Sequence, residues 1–169
     1  MSKKEKYLFY TTRYLTHQES LKFEKDLYVS ARKKILEIQA KGMSWVDAQF
    51  LEKAVDILCE CRSALSYSYV FGFYHGKNNQ KEIFEANQKD LETATEVLSE
   101  YLERDMSEAD ASDIKEKVLN KSIYCDQRRK NLLAHVHEGF KKKWWNDQFE
   151  GTTDEKKQKS KSAWNFFVN

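Results

Sequence analysis

Three cysteines and four histidines are the side chains of this 169-residue sequence best suited to metal or nucleophilic chemistry, and their spacing limits what they can do. Cys59-Glu60-Cys61 and His135-Val136-His137 resemble ligand pairs for zinc. On a helix, however, residues i and i+2 point about 200° apart, so neither pair can converge on one metal. Cys125 with a histidine could form a nucleophile and its base. It continues an apolar stripe with Ile114 and Val118, though, and burial raises a thiol pKa and leaves it inert. A glycine-rich phosphate loop, a G-x-S-x-G elbow and an H-E-x-x-H pair are all missing from the sequence. The acidic pairs Asp90/Glu92 and Glu103/Asp105 have lysines close by and read as solvated helix faces. The expectation is a chain with no catalytic, cofactor-binding or metal-binding residue of its own. Its enzyme rival would use Cys125 or Cys59 as nucleophile.

Binding chemistry is the other possibility. Residues 67–74 (YSYVFGFY) place several aromatics at one helix end, which could stack nucleobases. The basic groove that should accompany such a platform is missing there, so core packing is the favoured reading. Arg128-Arg129-Lys130 and Lys141-Lys142-Lys143 are the strongest basic clusters. A solvated face that complements a helix C-terminus accounts for them, and an acidic partner surface is the sharper alternative.

The elements that would position these residues are helical. There is no proline and only five glycines, and both residue types break helices. A first helix spans about residues 4–41, with Leu27, Ala31, Ile35 and Ile38 forming one stripe. Gly42 suits a left-handed C-terminal cap. Ser44 opens a second helix, with Asp47 placed to reach back as in a capping box. That helix is apolar on two faces, so it belongs at the centre of a bundle, and it ends near Gly72 to Gly76. A third helix covers about residues 80–104. A fourth, capped by Ser107 or Ser112, runs to about Asp147 on Ile114, Val118, Cys125, Leu132, Val136, Phe140 and Trp144. The fold expected is all-α: an elongated antiparallel bundle of about four long helices, some kinked or broken, over residues 5–149. Residues 150–169 read as a flexible, partly disordered, Lys-rich tail with an apolar end.

Charge and composition narrow the partners. With 29 basic and 27 acidic side chains, the net charge of +2 gives no field for nucleic acid. No run approaches the ~20 apolar residues that cross a bilayer, and the first residues lack a signal-peptide core. An odd, small number of cysteines fits a reducing compartment, hence an intracellular protein.

Phe23 and Glu24 stand apart. Four residues before Leu27, Phe23 could extend the core stripe. Ser20, Lys22, Glu24 and Lys25 crowd it with polar neighbours, which equally suits a stretch of the first helix that projects past its partners.

Five runs then resemble a known family. Residues 16–24 (THQESLKFE), 43–51 (MSWVDAQFL), 87–99 (NQKDLETATEVLS), 101–105 (YLERD) and 132–140 (LLAHVHEGF) look like the Ariadne domain, the helical module of the Ariadne family of RING-between-RING ubiquitin ligases. The resemblance covers about residues 7–145 and is closest to the Ariadne-1 type. It implies a regulatory and protein-interaction domain. In that family the bundle follows three zinc-bearing modules and folds back over the catalytic cysteine of the second RING-like domain, until a neddylated cullin-RING ligase releases it. The masking surface falls on Phe23, Glu24 and Glu96 here, and a phosphate on Ser20 would add about −1.5 to −2 charge one turn before Glu24. The zinc modules are not in this sequence, so the chain itself is expected to be a non-enzyme belonging to, or descended from, a cytoplasmic and nuclear ligase. His75-Gly76, where the resemblance leads one to expect helix-favouring residues, and the tail from Glu150 depart from the family pattern. The rival reading is a plain helical scaffold unrelated to ubiquitin.

Overall fold

The structure, a computed structural model, describes residues 2–104 and 111–145. α1 (Lys3–Ala40) starts on a capping box: the Ser2 hydroxyl accepts from the Glu5 amide, and the Glu5 carboxylate accepts from the Ser2 amide at 2.6 Å. Its 38 residues make a rod of about 57 Å. Gly42 closes it at φ +98°, with Gly42 N–H donating to Gln39 and Met43 N–H to Ile38, so the chain turns sharply and Met43 lands on the core.

The second helix is broken where one element was expected. α2 (Trp45–Ala48) is a single turn, Gln49 interrupts, and α3 (Phe50–Tyr74) carries on. Ser44 does cap α2, accepting from the Asp47 amide at 3.1 Å. The reciprocal half of the capping box is absent. Asp47 is one methylene shorter than the glutamate that usually reaches the cap amide, and its carboxylate accepts from the Ser44 hydroxyl instead, at 2.7 Å.

α3 lies at the centre, as its apolar residues on two faces predict. α1 packs along one side, while α4 (Asn79–Glu103) and α5 (Ala111–Lys142) pack on the other. The pairing of residues shows that α1 and α3, and α3 and α4, run antiparallel. Tyr10 meets Phe73 while Arg32 meets Glu52; Phe84 meets Phe71 while Glu96 meets Arg62. Leu58, Cys61 and Leu65 of α3 join Phe84, Leu91 and Leu98 of α4 and Val118, Cys125, Leu132 and Val136 of α5 in the core. The described residues contain no β-strand element, and none of their helices is long and apolar enough to cross a membrane.

Two helix ends differ from expectation. α5 stops at Lys142, before Asp147: Lys143 takes φ +57°, and Trp144 N–H donates back to the Gly139 carbonyl at 2.9 Å. The turn throws Trp145, not Trp144, onto the core, with its indole N–H on the Val136 carbonyl. Ser112 lies inside the first turn of α5. Ser107 and the tail from Asn146 fall outside the described residues.

Candidate functional site

Chemistry gathers where α1, α3 and α4 meet. Glu24 sits one and two turns ahead of Leu27 and Ala31, so the inward stripe of α1 carries a carboxylate there, 4% exposed. Facing it is Arg62, on the buried face of α3 between Leu58 and Leu65. Arg62 Nε donates to Glu24 Oε1 at 2.6 Å, and Nη1 and Nη2 donate to the two oxygens of Glu96 on α4 at 2.6 and 3.0 Å. One planar guanidinium thus joins three helices. The second Glu24 oxygen is buried and has no hydrogen-bond partner among the described residues.

The two carboxylates titrate in opposite directions. Burial raises Glu24 to about 7, against the pull of Arg62. Glu96, whose side chain is 60% exposed, is held below the usual range by its bonds to the same guanidinium.

A second polar knot lies next to it. His17, also buried, has Nε2 3.0 Å from Glu92 Oε1 and Nδ1 3.4 Å from Arg62 Nη1. A carboxylate only accepts and a guanidinium only donates, which assigns the ring its Nε2–H tautomer. Glu92 also accepts from Tyr69 at 3.1 Å and from Arg13. Burial pushes Glu92 up, but these bonds outweigh it and hold the carboxyl low. Gln18 donates to Ser66 and Gln88 to Ser68, so polar pairs continue along the seam on either side of the unpartnered Glu24 oxygen.

Phe23 lies about 100° around α1 from Glu24 and is 74% exposed, which excludes the core alternative. Ser20 is half-buried, one turn before Glu24. The structure therefore brings Glu24 and Glu96 onto one cation, while Phe23, the neighbour of Glu24 in the chain, is on the surface. Arg62 and His17 carry no expectation from the sequence, and Glu92, expected on a solvated face, is instead half-buried because His17, Tyr69 and Arg13 all donate to it. The signal available for Arg62 was a charge on the inner face of an otherwise apolar helix, which requires a buried partner.

The remaining candidates have other roles. Cys61 and Cys125 are buried and hydrogen-bonded to each other. That bond, with burial, drives the Cys61 thiol up. It lowers Cys125, which was expected to be raised, because the proton shared with Cys61 favours the Cys125 thiolate. No group of three or more His, Cys, Asp or Glu among the described residues could hold a metal. Of the aromatic run, Tyr69 and Phe71 are core residues, and Phe71 packs on Phe84 and Trp145. Arg128, Arg129 and Lys130 lie in mid-helix, so ion pairs with Asp90, Glu60 and Asp126 engage them rather than a helix terminus. Lys141 and Lys142 do occupy the last turn of α5.

Known proteins give the chain its relatives. The family described as Ariadne domain matches residues 5–139. The E3 ubiquitin-protein ligase ariadne-1 of Drosophila melanogaster is 57% identical over 140 residues, covering 83% of this chain and 28% of the fly protein. The E3 ubiquitin-protein ligase ARIH1 of Homo sapiens is likewise 57% identical over 141 residues, covering 83% of this chain and 25% of the human protein. The E3 ubiquitin-protein ligase ari-1.1 of Caenorhabditis elegans is 47% identical over 141 residues, 83% of this chain and 28% of its own length. The chain thus spans about a quarter of the length of these relatives. With a match that covers every helix of the bundle, the chain belongs to the Ariadne domain family.

Proposed function

We propose that this chain is the autoinhibitory and protein-interaction domain of a RING-between-RING ubiquitin ligase. It masks the catalytic cysteine of the second RING-like domain until a neddylated cullin-RING ligase draws it away. Ubiquitin transfer and zinc binding belong to the other domains of such a ligase, which works in the cytoplasm and nucleus. The chain acts by occlusion.

The observation that carries the reading is an exposed phenyl, Phe23, next in the chain to Glu24, whose partner Arg62 also holds the exposed carboxylate of Glu96 where three helices meet. An aromatic anchor next to a fixed charge is the kind of surface that dominates an interface. Burying the phenyl ring contributes about 1.5–3 kcal/mol, so Phe23→Ala should weaken masking roughly 10- to 100-fold. Family membership and relatives named as ubiquitin ligases support the pathway.

The test is ubiquitin discharge from a separately purified Ariadne-type catalytic domain, with this chain titrated in trans. The reading predicts dose-dependent inhibition by wild type, much weaker inhibition by Phe23→Ala or Glu96→Ala, and relief on adding a neddylated cullin-RING ligase. A folded chain that fails to inhibit at saturating concentration would leave the plain scaffold.

A further inference from the structure

We infer that Glu24 and Arg62 are positioning residues of this surface: Glu24 orients Arg62, and Arg62 presents the Glu96 carboxylate to the masked domain. The inference rests on the masking reading and assigns its parts. Glu24 is 4% exposed, and one of its oxygens is committed to Arg62 Nε at 2.6 Å, with the Ser99 hydroxyl 3.5 Å away. A partner approaching from solvent meets Phe23 and the outer side of Glu96, not Glu24.

The guanidinium is the link. Its Nε edge faces α1 and its two terminal nitrogens face α4, all in one plane. Fixing the Nε edge on Glu24 therefore fixes the direction of the fork that holds Glu96. His17 Nδ1, 3.4 Å from Nη1, flanks the fork from α1. A lysine at position 62 would keep the charge but offer a single rotating ammonium, with no fork to align a carboxylate. Glu96 has about 60% of its side chain in solvent, so without the fork it would sample many rotamers and lose them on binding.

A double-mutant cycle separates positioning from contact. Inhibition in trans is measured for wild type, Glu24→Gln, Arg62→Lys and Glu96→Ala, and for each of the first two variants in the Glu96→Ala background, with melting curves to confirm folding. Glu24→Gln and Arg62→Lys should each weaken inhibition about tenfold in the wild-type background and add nothing once Glu96 is alanine. A purely structural role would weaken both backgrounds equally. Glu24→Gln retaining its full effect in the Glu96→Ala background would overturn the inference, as would variants that inhibit like wild type. If wild type itself does not inhibit, the masking reading fails first. A variant-free arm uses carbodiimide labelling of carboxylates with and without the catalytic domain. Glu96 should label in the free chain and be protected in the complex, with Glu24 unlabelled in both. Labelling of Glu24 that the complex suppresses would overturn the assignment.

Discussion

Glu24 and Glu96 differ by burial although both bind one arginine. Glu96 keeps water and a two-pronged bond, whereas Glu24 gives up its hydration for one good bond and leaves its other oxygen unbonded among the described residues. In the folded chain Glu24 holds its proton up to about pH 7, against an ordinary 4.5. Between those values the folded state binds more protons than the unfolded state, so this group's contribution to stability falls as pH rises. Glu92 and Glu96 are shifted down, so what they contribute is present above their ordinary range and is lost only as pH falls below it. Wild type should therefore lose stability relative to Glu24→Gln as pH is raised from about 5 to about 8, measured as the difference in melting temperature. A gain over that window would contradict the Glu24 assignment. The thiols give a second check at this scale: Cys59, half-buried, should alkylate in the native chain well ahead of Cys61 and Cys125, which react only on unfolding. Glu24 was legible as a residue to watch, but its buried state was not. A carboxylate on an inner stripe needs a cation from another helix, and its own helix does not say which one.

Helix ends show where local signals suffice. Ser44 and Gly42 announce themselves because a cap uses only neighbouring atoms. The C-termini of α3 and α4 are different, since neither has a basic residue in its last turn. Distant lysines supply the charge. Lys81 Nζ donates to the carbonyls of Gly72 and His75 at 2.5 and 3.0 Å, and Lys34 Nζ to those of Leu102 and Arg104, both at 2.7 Å. His75 thereby ends α3 in extended backbone with its carbonyl satisfied. Lys81→Met should cost about 1.5–3 kcal/mol, read by urea denaturation. A change within about 0.5 kcal/mol would show that the capping bonds contribute nothing. The end of α5 escaped sequence reading for the same reason, because its turn is held by Trp145 lying over Gly139. A methyl at Gly139 would overlap the indole ring, so Gly139→Ala should destabilise by about 1–3 kcal/mol. Lys143→Gly, which removes the left-handed strain at φ +57°, should stabilise by about 0.5–1 kcal/mol. Both are measurable in the same denaturation series.

At the scale of the whole molecule, α1 is bound to the bundle in two ways. Its C-terminal half buries Ala31, Ile35 and Ile38 in the apolar core. Its N-terminal half meets α3 and α4 through Arg13, His17 and Gln18, with Glu24 just past the midpoint. Edge-on ring contacts of Tyr10 and Tyr14 with Phe73 and Tyr67 add to these, while Leu8 and Leu15 face solvent. The apolar stripe of the second half was readable from spacing alone. The polar seam of the first half was not, because buried hydrogen-bonded pairs leave no periodic mark that separates them from surface residues. The all-α class and the central place of α3 followed directly from composition and two-faced hydrophobicity. A helix held by directional bonds suits a surface that must keep a fixed shape against another domain. That surface makes the central claim testable without ubiquitin. The most direct measurement is the alkylation rate of the catalytic cysteine in an isolated Ariadne-type catalytic domain, followed by mass spectrometry as this chain is added. Masking predicts that the rate falls to a plateau with wild type and falls far less with Phe23→Ala at the same concentration. A rate unchanged by saturating wild type would contradict the account.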